Sequence, residues 1–115
     1  MVKLISLKKS DHFKIVLKGR KVHSDYFSVF AAKNFIKMEK LSNLRISFVM
    51  KKKIGNAVKR NRIRRKLRAI VLKLLKKRGA INYDYTYIVF GKSNVYKENQ
   101  KILLEAMVKC FSKIN

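Results

Sequence analysis

Lys51-Lys52-Lys53-Ile54-Gly55-Asn56-Ala57-Val58-Lys59-Arg60-Asn61-Arg62-Ile63-Arg64-Arg65-Lys66-Leu67-Arg68 is the stretch from which the fold can be read. Asn56 can cap the free amides of a helix, and the pattern predicts that helix from there to about Arg78, where Gly79 can end it. Its apolar stripe is Ile63, Leu67, Ile70 and Leu74, spaced three and four apart. At about 100° per residue, Asn61, Arg65 and Arg68 gather on the opposite side, flanked by Arg62 and Lys76. Such a helix spans roughly 30 Å, long enough to follow several phosphates. Five arginines between Arg60 and Arg68 favour forked contacts to phosphates and base edges over lysine's point charges. Gly55 permits a tight turn that aims the first amides and Lys53 at an anion.

Upstream of this run, Leu44, Ile46, Phe48 and Met50 form one face of a strand, with Arg45, Ser47 and Val49 opposite. Residues 22–32 also alternate: Tyr26, Ser28 and Phe30 share one face, and Phe27, Val29 and Ala31 the other. Ser10-Asp11 before Phe13, Val16 and Leu17 reads as a short helix, with Ser10 its cap and Gly19 its stop. Lys33 to Asn43 is polar and reads as a loop. Downstream, Tyr85 to Phe90 is a strand by its aromatic and β-branched content. A last helix follows Ser93-Asn94 and buries Ile102, Leu103, Ala106, Met107, Cys110 and Phe111. The order α, β, β, α, β, α, without linker or repeat, predicts one α+β domain over residues 1–115.

The charge decides the class of partner. The chain has 115 residues with 30 Lys+Arg against 6 Asp+Glu, a net charge of +24. Residues 40–83 hold no acid and sixteen bases, fourteen of them between Lys51 and Arg78. A solvated surface mixes both signs, so this is a binding surface for a polyanion, with nucleic acid ahead of an anionic membrane. At 48% apolar residues the chain can build a core, which excludes a disordered basic tail. No apolar run approaches the ~18 residues of a membrane span, and Met1 to Leu7 is too interrupted for a signal peptide. The single Cys110 excludes an internal disulfide and suits a reducing compartment, so a cytoplasmic location is expected.

Catalytic constellations are missing. His12 and His23 lack the spacing of a metal site and are expected to be structural or superficial. Cys110 sits on an apolar helical stripe and reads as core. Gly91-Lys92-Ser93 matches the end of a phosphate-binding loop, but Thr86 stands where the loop's first Gly belongs. Six scattered acids cannot easily supply the clustered carboxylates of a two-metal nuclease. The chain alone is not expected to be a catalyst.

With Arg60-Asn61-Arg62 at its centre, the Lys52-to-Arg68 block closely resembles the signature of the bacterial ribonuclease P protein subunit. Looser likeness extends through Asp11-His12-Phe13, Gly19, the Phe27-to-Phe30 strand and Arg45. The resemblance implies an α-β sandwich: a mixed sheet of about four strands, three helices and a left-handed β-α-β crossover. It also implies a protein that assists a catalytic RNA in removing the 5′ leader of precursor tRNA. No metal or cofactor is implied for the protein alone, Mg²⁺ is expected of the RNA-containing holoenzyme, and no protein or membrane partner is implied.

Two surfaces follow from the resemblance. Lys52, Lys53, Asn56, Arg60, Asn61, Arg62, Arg64, Arg65 and Arg68 would meet the catalytic RNA. Phe13, Leu17, Val22, Phe30, Arg45 and Lys53 would line a cleft for the single-stranded leader. An apolar, aromatic cleft fringed by lysines suits single-stranded RNA held without strict sequence choice. Phe13 and Phe30 fit a buried stripe as well as a cleft. This chain departs from the family pattern at Leu17 and Phe30, where an aromatic and a Tyr are common. It departs again at Ser47 for a usual Gly, which implies a crowded cleft floor, and at Lys51 for a usual Ser, which adds charge.

Other classes fit less well. A ribosomal RNA-binding protein shares the charge and the α+β pattern but needs neither the Gly55-to-Arg62 run nor an aromatic cleft. A helix-turn-helix needs two adjacent short helices, whereas the basic helix is flanked by strands. A membrane-surface helix would give Ile63, Leu67 and Ile70 to lipid and uncover the sheet. A stand-alone ribonuclease lacks its carboxylates.

Overall fold

Alternating apolar residues and one long amphipathic helix set the layers. The computed structural model describes residues 4–33, 44–77 and 79–114. The elements are β1 (Leu4–Ile5), α1 (Ser10–Leu17), β2 (Arg20–His23), β3 (Phe27–Lys33), β4 (Leu44–Val49), α2 (Ala57–Leu74), β5 (Tyr85–Gly91) and α3 (Gln100–Ile114). Short 3₁₀ turns cover Lys52–Ile54 and Ser93–Tyr96. The sheet order is β1-β4-β5-β3-β2, with β1 parallel to β4, β4 parallel to β5, and the β5-β3 and β3-β2 pairs antiparallel. Helix α2 is thus the crossover between two adjacent parallel strands.

The mixed sheet has five strands rather than the expected four. The stretch at 22–32 is a hairpin, not one strand. Ser24 breaks it, because its Oγ accepts from the Tyr26 and Phe27 amides at 3.3 and 3.2 Å and donates to the Phe27 carbonyl at 3.0 Å. The other added strand, β1, is only two residues long and carries no alternation to read. The expected loop at 33–43 lies outside the described residues except for Lys33, which ends β3.

Helices pack on both faces of the sheet. Helices α2 and α3 pack on one, where Ile63, Leu67, Ile70, Val71 and Leu74 meet Leu103, Met107 and Phe111 over Phe27, Val29, Ile46, Tyr87 and Val89. Helix α1 covers part of the other, where Val16 packs with Leu7 and Ile88. Asn56 caps α2 as its sequence position predicts, its Oδ1 accepting from the Lys59 amide at 3.0 Å. Ser10 does not cap α1: the helix starts one residue earlier, with the Lys9 carbonyl accepting from the His12 and Phe13 amides. Gly19 is needed for closeness rather than for stopping the helix, since a Cβ there would stand 2.1 Å from the Ala31 carbonyl oxygen. Ile102, expected in the core stripe of α3, is 42% exposed, because the stripe that meets the core runs through Leu103, Met107, Cys110 and Phe111 and leaves Ile102 on its flank.

Candidate nucleic-acid interface

On the α1 side of the sheet, α1 leaves part of the surface open, and the opening is a groove of about 590 Å³. Leu17 at the end of α1 and Phe30 and Phe90 on the sheet supply its apolar wall. Lys51, Lys53 and Lys92 stand around it, with His23, Ser28 and Ser93 adding polar groups. The register explains the wall: Ser28 pairs with Phe90 across β3 and β5, which sets Phe90 beside Phe30. Their rings meet edge to face, with centroids 5.4 Å apart and planes at 74°. The His23 ring meets Phe30 at 88°, its Nδ1 2.7 Å from the Ser28 Oγ. The Lys21 ammonium lies 5.7 Å from the centre of the Phe30 ring.

Of the residues expected in a cleft, Leu17, Phe30 and Lys53 come together here. Phe13 is half-buried against the Leu7/Val16/Ile88 cluster and does not line the groove. Val22 lies on the other face, because it pairs with Val29 and packs against the α2/α3 core. Arg45 pairs with Ile5 toward the β1 edge, outside the groove lining. Ser47 does not crowd the floor. It is buried, and its Oγ accepts the Leu7 amide at 2.8 Å, which ties the N-terminal segment to β4. Sequence reasoning missed Phe90, Lys92 and Ser93, whose place depends on strand register.

The second surface is the outer side of α2. Asn61, Arg64, Arg65 and Arg68 are exposed, and no acid occupies the helix's first turn. The Arg64 Nη1 donates to the Asn61 Oδ1 at 2.7 Å, so the asparagine orders one guanidinium on that side. Arg62 is held over the Tyr96 ring, 5.1 Å from its centroid. Lys52 and Lys53 are exposed in the turn before the helix. Arg60 differs from its neighbours: it falls on the side of Ile63 and Leu67 and is half-buried, and its Nε is enclosed without a hydrogen-bond partner.

Among the described residues that line the groove there is no carboxylate. Burial pushes the Cys110 thiol up, with a smaller opposing effect from a Ser24 hydrogen bond, and the residue is core as expected. Among the described residues, no three His, Cys, Asp or Glu side chains come together as a metal site would require, and no helix is long and apolar enough to cross a membrane.

Comparison with known proteins gives the family and the fold. The ribonuclease P protein component of Listeria innocua is 36% identical over 93 residues, covering 80% of this chain and 72% of that protein. The corresponding component of Paramagnetospirillum magneticum is 31% identical over 72 residues, which span 53% of its own length. In fold, the chain is similar to the solved RNase P protein from Thermotoga maritima, with a TM-score of 0.71 and 22% identity, over 92% of this chain and 93% of that one. The family model described as Ribonuclease P matches residues 1–115, and the chain belongs to that family.

Proposed function

We propose that the chain is the protein subunit of a ribonuclease P, binding a catalytic RNA through α2 and the 5′ leader of precursor tRNA in the groove. The observation that carries this reading is the groove itself: an apolar wall of Leu17, Phe30 and Phe90 fringed by Lys51, Lys53 and Lys92. Aromatic faces accept any base by stacking, and the ammonium groups follow the backbone, which suits a leader of variable sequence. The outer arginines of α2 lie on the far side of the sheet, so one domain has separate surfaces for two RNAs. The left-handed sense of the β4-α2-β5 crossover and a cytoplasmic place of action belong to the same proposal.

The chain's part is to bind and orient. Lysines and arginines neutralise phosphates and release their counterions, and the groove fixes where the leader leaves the cleavage point. Mg²⁺ is expected of the RNA-containing assembly. The described residues offer no set that fits such an ion, so no protein-bound metal step is assigned.

Purified protein with Mg²⁺ should leave precursor tRNA uncut, and adding the cognate catalytic RNA should give cleavage at the mature 5′ end. Arg65→Ala with Arg68→Ala should weaken assembly and lower the log–log salt slope by roughly one to two units. Lys101→Ala with Lys109→Ala on α3 should do less. Cleavage by rigorously RNA-free protein, or equal effects from both pairs, would overturn the reading.

A further inference from the structure

Lys66 lies in the middle of the basic helix, yet its ammonium points into the protein. Its Nζ donates to the carbonyls of Val95, Tyr96 and Glu98 at 3.1, 2.8 and 3.1 Å. A lysine ammonium has three N–H groups, and here each has a carbonyl, so none remains for a phosphate. These carbonyls close the 3₁₀ turn Ser93–Tyr96 and the residues after it. The same segment begins in the groove, because Lys92 and Ser93 line it.

Other contacts make residues 92–98 a strap between the two surfaces. At the groove end, the Lys92 amide and ammonium donate to the Tyr26 and Ser24 carbonyls at 2.9 and 2.6 Å, and the Asn94 side chain donates to the Asp25 carbonyl at 2.8 Å. The β2–β3 turn is thereby held. At the helix end, the Lys59 Nζ donates to the Ser93 Oγ at 3.0 Å, and Lys59 and Arg62 both lie over the Tyr96 ring. Lys66 is half-buried, and among these side chains it alone makes three hydrogen bonds to the strap.

We infer that Lys66 is a positioning residue for the leader groove and not an RNA ligand, holding the 92–98 strap so that Lys92 and Ser93 stay in the groove wall. The inference rests on the functional reading above for its RNA consequence. The clamp itself rests on the hydrogen bonds alone. Removing the ammonium should loosen the strap and weaken leader binding, while leaving the count of phosphate contacts on α2 unchanged.

The test compares Lys66→Met, Lys66→Arg and Arg65→Ala in the full chain. Amide exchange in the free protein comes first: Lys66→Met should lose protection at Val95–Glu98, and Lys66→Arg, which keeps the donors, should restore part of it. With the catalytic RNA, Lys66→Met should keep the wild-type salt slope, whereas Arg65→Ala should lower it by roughly one unit. In the assembled particle, Lys66→Met should bind precursor tRNA several-fold more weakly and mature tRNA as before. Unchanged exchange protection, or a salt slope reduced as by Arg65→Ala, would overturn the inference. Equal weakening for precursor and mature tRNA would overturn it too. If the wild-type particle itself makes no distinction between precursor and mature tRNA, the functional reading fails, and the exchange result still decides the clamp.

Discussion

Phe27 and Phe30 lie three residues apart on β3 and face opposite sides of the sheet, and replacing each by alanine separates core from binding surface. Phe27 is fully buried under α2 and α3. Its loss removes a whole ring from a packed interior, at a cost of about 3–5 kcal/mol. At roughly 4 °C per kcal/mol for a chain of this size, melting should fall by about 12–20 °C. Phe30 is only partly buried, and its main specific contact is the edge-to-face pair with Phe90. Such a pair contributes about 0.5–1.5 kcal/mol, and with the partial burial the loss should stay near about 2 kcal/mol, or about 8 °C.

Binding should rank the two variants the other way. A stacked base contributes about 1–3 kcal/mol, so Phe30→Ala should weaken precursor tRNA binding by about 5- to 150-fold. Mature tRNA, which has no leader, should bind as before. The assay is filter or fluorescence titration of the assembled particle with matched precursor and mature tRNA, below the melting point of either variant. Phe27→Ala, where it remains folded, should bind both RNAs like wild type. Equal melting losses, or equal weakening of both RNAs by Phe30→Ala, would refute the assignment of this face to the leader.

Gly91→Ala should destabilise the fold by about 1–3 kcal/mol and shift α2 outward, because the added Cβ would stand 2.9 Å from both the Ile63 Cγ2 and the Leu67 Cδ1; thermal unfolding with and without a compensating Leu67→Ala checks it. Burial raises the Tyr87 hydroxyl above its ordinary value of 10.0, and the hydroxyl donates to the Asn82 carbonyl at 2.7 Å. The folded state therefore holds this proton longer than the unfolded one, so stability should fall as pH rises past 10.0, and Tyr87→Phe should flatten that fall in a pH series of urea unfolding.

Local rules carried the parts of the fold that depend on local chemistry. The α2 stripe, its Asn56 cap and the two faces of β4 follow from spacing alone, because burial on one side forces the period. Val22 shows where such rules stop. Counted as part of one strand over 22–32, it falls in phase with Phe30. The Ser24–Tyr26 turn reverses the chain, and Val22 then pairs with Val29 and takes the opposite face. The Ser24-Asp25 pair carried the turn signal, but the alternation around it was the stronger pattern. Phe90 and Lys92 were not legible as groove residues for a different reason: their place beside Phe30 depends on β3–β5 register, a contact between distant segments that no window of sequence contains.

The same distinction explains how one basic run serves two surfaces. Lys51 and Lys53 reach the groove because the turn Lys52–Ile54 ends β4 at the groove's edge. The helix that follows turns its stripe to the sheet, so Asn61, Arg65 and Arg68 must face away from the groove. Strand β5 then returns parallel beside β4 and brings Phe90 and Lys92 back to the groove where the crossover began. Groove and helix are therefore built from the two ends of one β-α-β unit, and a change in how α2 sits on the sheet must be felt at both. Sequence composition gives the total charge of +24, but only the crossover divides it between surfaces. Lys66 marks the division, since it belongs to the basic run by sequence and to the strap by its hydrogen bonds.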